Sequence, residues 1–283
     1  TQDNAPFCKG GYFDIVLNDQ PRRIAIHHIH MEEDAGKSIH DVDPKHTMID
    51  LNRAGTPLLE LVTEPFITSA EEAYVFLTEL RSLVRYLGVS DGNMEEGSMR
   101  ADCNVSLRPV GSSQMGERRE VKNVNSLRFA KKAIEYEIKA QTKIINSGGV
   151  IRQSTMDYDA ENDRTIPLRD KEDAHDYRYF PDPDLPPLHL TKSYVDGLKA
   201  SMPPNPKVVQ QKLETQYGLS ASQARTVTFN TELRSHFERL AVRFHSGQKM
   251  ANIYFNKLIP LIQSKGISIK ELPITDDQII GIL

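Results

Sequence analysis

The run Met31-Glu32-Glu33-Asp34-Ala35-Gly36-Lys37-Ser38 places three carboxylates, a glycine and a lysine behind a strand-like stretch, Ile24 to Met31. A further carboxylate, Glu60, lies within the apolar run Leu58-Leu59-Glu60-Leu61-Val62. Burying a lone charge there would be costly unless it is paired or bound to a metal. The triplet Gly36-Lys37-Ser38 mimics the end of a phosphate-binding loop, but that motif needs a glycine five residues before Gly36, and Met31 stands there. A phosphate cradle also calls for N–H groups and positive charge rather than three acids. Carboxylates next to a phosphate make sense with a divalent cation between them, and magnesium takes oxygen ligands from one or two carboxylates plus nucleotide phosphates. An edge strand ending in a solvated acidic turn is the plainer alternative for the acidic run, and Glu60 in its apolar setting favours a site. On a strand, His28 and His30 share one face and His27 points away. These histidines read as ordinary hydrogen-bonding side chains rather than as a zinc site.

Five blocks in fixed order extend this pattern: IHMEEDAGKS, DLNRAGTPLLELVTEP, MEEGSMRADCNVSLRP, EVKNVNS and DYRYFPDPDLPPL. Spanning roughly residues 24 to 190, they resemble the GatB family, the B-type subunits of the tRNA-dependent amidotransferases. The resemblance implies an α+β fold: an antiparallel sheet with helices, in a cradle related to glutamine synthetase, followed by a small all-helical domain. It implies a cradle over residues 1–190, a helical domain over 191–272 and the start of a tail domain at 273–283. The cradle's first strands and most of the tail are expected to be missing from the sequence.

The resemblance further implies ATP-dependent phosphorylation of the side-chain carboxylate of Glu-tRNA(Gln) or Asp-tRNA(Asn), followed by amidation. Glu33 and Glu60 are then metal ligands for Mg2+, with Glu32 as the alternate. Strand parity alone does not choose between Glu32 and Glu33. Lys37, Arg53, Glu96 and Arg100 become cavity residues. No serine-rich amidase block is present, so ammonia is expected from an amidase-like glutaminase partner, with a small third subunit completing the assembly. Arg169, Lys171, Tyr177 and Arg178 suit a phosphate or the terminal adenosine of tRNA through charge and stacking. A packed hairpin with half-buried tyrosines explains the same spacing. Met156 stands where the family usually has an arginine, which removes an anion contact from that position.

The chain has 283 residues, 39% of them hydrophobic and 26% charged, consistent with two domains of an ordinary soluble protein. No apolar run approaches the ~20 residues needed to cross a bilayer. Two cysteines, Cys8 and Cys103, offer neither a disulfide framework nor metal spacing, so a reducing cytoplasm is expected. From Thr191 onward 12 Lys or Arg face 7 Asp or Glu, while the preceding part holds 23 against 32. An acidic front suits a cation-binding domain and a basic tail suits a polyanion.

Strands are expected at Tyr12 to Leu17, at Ile24 to Met31 and along Met94 to Arg108, where Ser98, Arg100, Asp102, Asn104 and Ser106 share a wet face. A helix over Ser69 to Gly88 begins with the Ser69/Glu72 capping box and buries Ala73, Leu77, Leu80, Val84 and Leu87. A second helix, about Ser126 to Asn146, packs through Ile134, Ile138, Gln141 and Ile145. Seven of the sixteen prolines fall in residues 181–206 and mark a boundary. Beyond it Leu233, Phe237, Leu240 and Phe244 repeat at helical spacing behind Thr231, Pro260 is expected to interrupt the next helix, and Thr275 starts another. Two other functions fit parts of this pattern: an ATP-dependent ligase acting on a free acid, and a non-catalytic tRNA-binding scaffold.

Overall fold

A computed structural model describes residues 6–39, 42–43, 45–168, 184, 186–244 and 246–282. The chain divides into two compact units, residues 1–79 with 100–189 and residues 80–99 with 190–283. Residues 80–99, which the sequence assigns to the first domain, therefore group with the second unit.

The first unit is mixed α and β. Its elements in order are β1 (Cys8–Lys9), β2 (Tyr12–Leu17), β3 (Gln20–Glu33), β4 (Lys37–Ile39), β5 (Met48–Asp50) and β6 (Pro57–Thr63). There follow α1 (Ala70–Tyr86), whose last turns belong to the second unit, β7 (Cys103–Val105), β8 (Arg119–Lys122), α2 (Leu127–Asn146), β9 (Ser154–Asp159) and β10 (Arg164–Pro167). Strand β3 organises the first half. Its start pairs with β2 through a hairpin whose two turn residues, Asn18 and Asp19, both have positive φ (50° and 60°), the backbone a tight two-residue hairpin demands. Its second half lies between β1 and β6, both antiparallel to it. Strands β4 and β5 form a separate two-stranded ribbon.

The second sheet runs β10-β9-β8-β7. It departs from the all-antiparallel expectation, because β8 and β9 are parallel. Parallel neighbours need a long crossover, and α2 supplies it. Ser126 caps α2, its side chain accepting from the Phe129 N–H at 3.1 Å. The buried face of α2 is rotated from the expected one: Ala130, Ala133, Glu137 and Gln141 are buried, and Ile145 is 47% exposed. The rotation follows from polar partners that periodicity does not reveal. Gln141 donates to Glu137 (2.9 Å) and to the Val105 carbonyl (3.1 Å), Thr165 donates to Glu137, and Arg119 lies 3.6 Å from Glu137. Met156 packs in this core beside Val121 and Tyr158, an apolar role that matches its departure from the family's arginine.

On α1, the Ser69 hydroxyl accepts from the Glu72 N–H at 3.1 Å. The reciprocal half of the box is absent, since Glu72 accepts from the Thr68 N–H (2.6 Å) and hydroxyl (2.9 Å) and from Arg22 (3.0 Å). Leu87, assigned to the apolar stripe, is 37% exposed.

The strand expected over Met94 to Arg108 is only three residues long, Cys103–Val105. Upstream the chain folds back instead. Gly97 has φ 75°, and the Ser98 N–H donates to the Asn93 carbonyl at 2.8 Å. A positive φ is a glycine's conformation, and it breaks the extended path.

Among its described residues the second unit beyond 190 contains helices alone: α3 (Lys192–Ser201), α4 (Pro206–Tyr217), α5 (Ala221–Thr228), α6 (Thr231–Phe244), α7 (Gly247–Ile253), α8 (Ile259–Lys265) and α9 (Asp276–Ile282). Leu213, Val227, Phe237, Leu240, Met250 and Tyr254 are at the centre of their shared core. The cap of α6 is Asn230, which accepts from the Leu233 N–H, rather than Thr231. Pro260 does not stop its helix. A widened π turn, Tyr254–Leu258, joins α7 to α8, relieving the clash a proline ring makes with the carbonyl one turn back. No described helix is long and apolar enough to cross a membrane.

Candidate functional site

The candidate site is built on β3 and β6. Their antiparallel register sets His30 opposite Glu60, His28 opposite Val62 and Glu32 opposite Leu58. Residues directly opposite project to the same face, and alternate residues along a strand share it. Glu60, His28, His30 and Glu32 therefore occupy one face. Glu33, opposite Pro57 at the end of β3, alternates to the other face with Met31 and Leu59. Of the pair Glu33 and Glu60 with Glu32 as alternate, it is Glu32 that the register sets on the side of Glu60.

Two expectations about this strand are corrected. Glu60 is not buried; its side chain is 53% exposed, and no residue of β6 is buried, Leu59 being exposed and Leu58, Leu61 and Val62 half-buried. The burial argument for a site falls away, and the convergence of side chains replaces it. His27 also does not simply point away. The pairing of β3 with β6 shifts between Ile26 and His28, and this bulge turns the His27 ring against His28, centroids 4.8 Å apart.

His28, His30 and Glu60 have ligand atoms that all lie within 4.8 Å of one another. His30 Nδ1 is 3.8 Å from Glu60 Oε2, and the His28 and His30 ring centroids are 4.3 Å apart. Partial burial, then the neighbouring His30 and His27, hold His28 below the usual histidine value against the pull of Glu60. Nitrogen and carboxylate donors in this arrangement can hold a divalent cation.

A second cluster lies where β3 ends. Asp34 is buried, and its carboxylate accepts from Arg53 Nε (2.7 Å), Arg100 Nη2 (2.8 Å) and Arg100 Nη1 (3.4 Å). Its backbone fixes the loop before β6: the Asp34 N–H donates to the Thr56 carbonyl and the Gly55 N–H to the Asp34 carbonyl, both at 2.9 Å. Gly55, at φ 77°, supplies the left-handed turn. The bond from Arg53, with help from Arg100, outweighs burial and holds the Asp34 carboxyl below the usual range. Two guanidiniums held by one carboxylate keep further N–H donors that can face an anion. The sequence signalled Arg53 and Arg100 but not Asp34 as their common anchor.

The other expected site residues are dispersed. Lys37 opens β4, exposed, in register with Asp50. Glu96 is exposed on the turn at residues 94–97, within the second unit. Arg169, Lys171, Tyr177 and Arg178 lie outside the described residues.

The first unit is thus an α+β body carrying a carboxylate–imidazole face and a paired-arginine cluster along one long strand. Residues 1–196 match the GatB/GatE catalytic domain, and the chain belongs to that family. Its relatives include the B-type subunits of the aspartyl/glutamyl-tRNA(Asn/Gln) amidotransferases of three bacteria. That of Pseudomonas fluorescens strain Pf-5 is 44% identical over 284 residues, or 100% of this chain. The Oleidesulfovibrio alaskensis protein is 46% identical over 281 residues (99% of this chain), and the Caldanaerobacter subterraneus protein 41% over 283 (100%). The chain spans 59% of the length of each.

Proposed function

We propose that this chain is the part of a tRNA-dependent amidotransferase that activates the substrate carboxylate. The substrate is the side chain of Glu-tRNA(Gln), of Asp-tRNA(Asn), or of both. The match of residues 1–196 to the GatB/GatE catalytic domain carries the reading, and the acidic and arginine clusters of β3 and β6 support it. In this reading residues 1–190 form a glutamine synthetase-like cradle, 191–272 a helical domain and 273–283 the start of a tail domain. The protein works in the cytoplasm with an amidase-like glutaminase partner and a small third subunit.

A carboxylate is too electron-rich for ammonia to attack, so one oxygen must first become a leaving group. ATP phosphorylates the side chain, and ammonia from the glutaminase partner then displaces phosphate. Glu60 would hold Mg2+ together with either Glu32, which shares its face, or Glu33 at the end of β3, and carboxylate oxygens suit that ion. Bound magnesium supplies neutralisation of phosphate charge. Arg53 and Arg100, both bonded to Asp34, would donate to a phosphate or acyl-phosphate oxygen. Lys37 would line the same cavity in the first unit, and Arg169, Lys171, Tyr177 and Arg178 would contact the tRNA end.

The test gives the complete enzyme labelled ATP and Glu-tRNA without any ammonia donor. Phosphate release that requires the charged tRNA is the expected result, with ADP as the co-product and water hydrolysing the acyl phosphate in place of ammonia. Release with free glutamate as the only acid would identify a free-acid ligase. No release under either condition, with tRNA still bound, would leave a scaffold.

A further inference from the structure

We propose that His28, His30 and Glu60 form a binding site for a borderline transition-metal ion of the zinc class. The proposal rests on the strand register and goes beyond the magnesium–nucleotide reading, with which it shares only Glu60.

The backbone fixes the three residues relative to one another. His30 and Glu60 are direct cross-strand partners, and His28 is the next residue on the same face of β3. Two histidines two apart on a strand, facing a carboxylate on its neighbour, need no loop to converge. Their ligand atoms already lie within 4.8 Å of one another, with His30 Nδ1 3.8 Å from Glu60 Oε2. Zinc bonds imidazole nitrogen at ~2.0–2.1 Å and carboxylate oxygen at ~2.0–2.2 Å. Tetrahedral ligands around it are therefore about 3.4 Å apart. Small side-chain rotations close the remaining gap, and Glu60, being exposed, has room to make them.

The donor set decides the class of ion. Magnesium asks for a near-octahedral shell of oxygens. Two imidazoles with one carboxylate suit zinc, cobalt or nickel, which follow the ordinary order of affinity for nitrogen donors. Three protein ligands leave a fourth position open to water or to a substrate oxygen. Glu32, next along the same face, is the carboxylate closest in the pattern to that open position. The sequence could not show this set: the third ligand is 30 residues from His30 and becomes a neighbour only through the pairing of β3 with β6.

The experiment titrates chelator-treated, nucleotide-free full-length protein with Zn2+ by calorimetry and with Co2+ by visible absorption. One equivalent should bind, Co2+ should give the intense d–d bands of a tetrahedral site, and millimolar Mg2+ should not displace the metal. The double variant His28→Ala/His30→Ala should lose at least tenfold in affinity and lose the bands. Glu161→Gln, on the exposed turn between β9 and β10, should change affinity less than twofold. Circular dichroism and melting establish that each variant is folded, and His28→Gln/His30→Gln serves as a second probe if the alanine pair does not fold. Zinc affinity unchanged in both folded double variants, or full displacement of the metal by Mg2+, overturns the proposal. The phosphate-release assay keeps the two readings apart. Histidine-dependent zinc binding without tRNA-dependent phosphate release would remove the nucleotide reading alone, and the converse would remove this one alone.

Discussion

The two units bury different things. Of the six buried polar side chains among the described residues, Asp34, Glu72, Glu137, Gln141 and Thr165 lie in the first unit and only Thr228 in the second. The second unit is instead closed by one apolar cluster running from Val209 to Ile279. In the first, each buried acid ties together separate elements: Asp34 holds Arg53 and Arg100, Glu72 holds Thr68 and Arg22, and Glu137 holds Thr165 and Gln141. Buried ion pairs add little net stability, yet removing one partner is costly because the other charge is left stranded. Such pairs set position more than they set stability. The difference teaches that the first unit is arranged to hold charged side chains in place, while the second is arranged to stay folded.

The largest effect that would break this contrast lies in the helical core. Phe237→Ala should destabilise the second unit by about 3–5 kcal/mol, the usual range for a buried aromatic truncated to alanine, read from denaturant unfolding. A loss below about 1 kcal/mol, far under that range, would mean that this cluster does not hold the unit together. Next is Asp34→Asn, which keeps the volume but removes the charge facing two guanidiniums. In the complete enzyme it should cut amide formation at least about tenfold, as loss of a charge-assisted contact does, with Asp34→Glu recovering part of it. Unchanged turnover in Asp34→Asn would detach the arginines from the chemistry.

The same carboxyl gives a pH signature. Its folded pKa is held down, chiefly by the Arg53 bond. The stability it contributes is therefore fully present above the ordinary aspartate value and is lost only as pH falls through the lowered one. Carboxyl-carbon NMR should show Asp34 titrating below the ordinary aspartate value, and a normal or raised midpoint would contradict the cluster. The smallest effect belongs to the basic half. Arg239 and Arg243 are paired with Asp276 and Asp277, so replacing both should reduce the salt slope of tRNA binding by less than about 1 per arginine. A larger fall would make them direct phosphate contacts.

Local patterns carried much of the fold. Strand β2 has the bounds its residues predict, and α2, Leu127–Asn146, starts one residue inside the predicted range and ends where it does, because strand alternation, turns and helix ends are written in neighbouring residues. Features set by distant partners were not legible. The face of α2 turned on Arg119 and Thr165, from strands on either side of it in sequence. The 94–100 stretch alternates like a strand, yet Gly97 folds it back. At the site, the acidic run and Glu60 stood out by residue type, but their relation did not. Which acid shares a face with Glu60 depends on a register fixed across two strands and a bulge at His27. Asp34 was one acid among three until Arg53 and Arg100, 19 and 66 residues away, were seen to meet on it.

The central claim is that the β3–β6 face activates a carboxylate with ATP, and Glu60 is the residue on which it turns. The decisive measurement is tRNA-dependent phosphate release by the complete enzyme carrying Glu60→Gln, followed as magnesium is titrated from limiting to saturating. Losing one carboxylate from the cation's shell should lower release about 100-fold at limiting magnesium, with melting behaviour unchanged. Release within a few-fold of the unsubstituted enzyme at limiting magnesium would contradict the assignment of this face to the reaction.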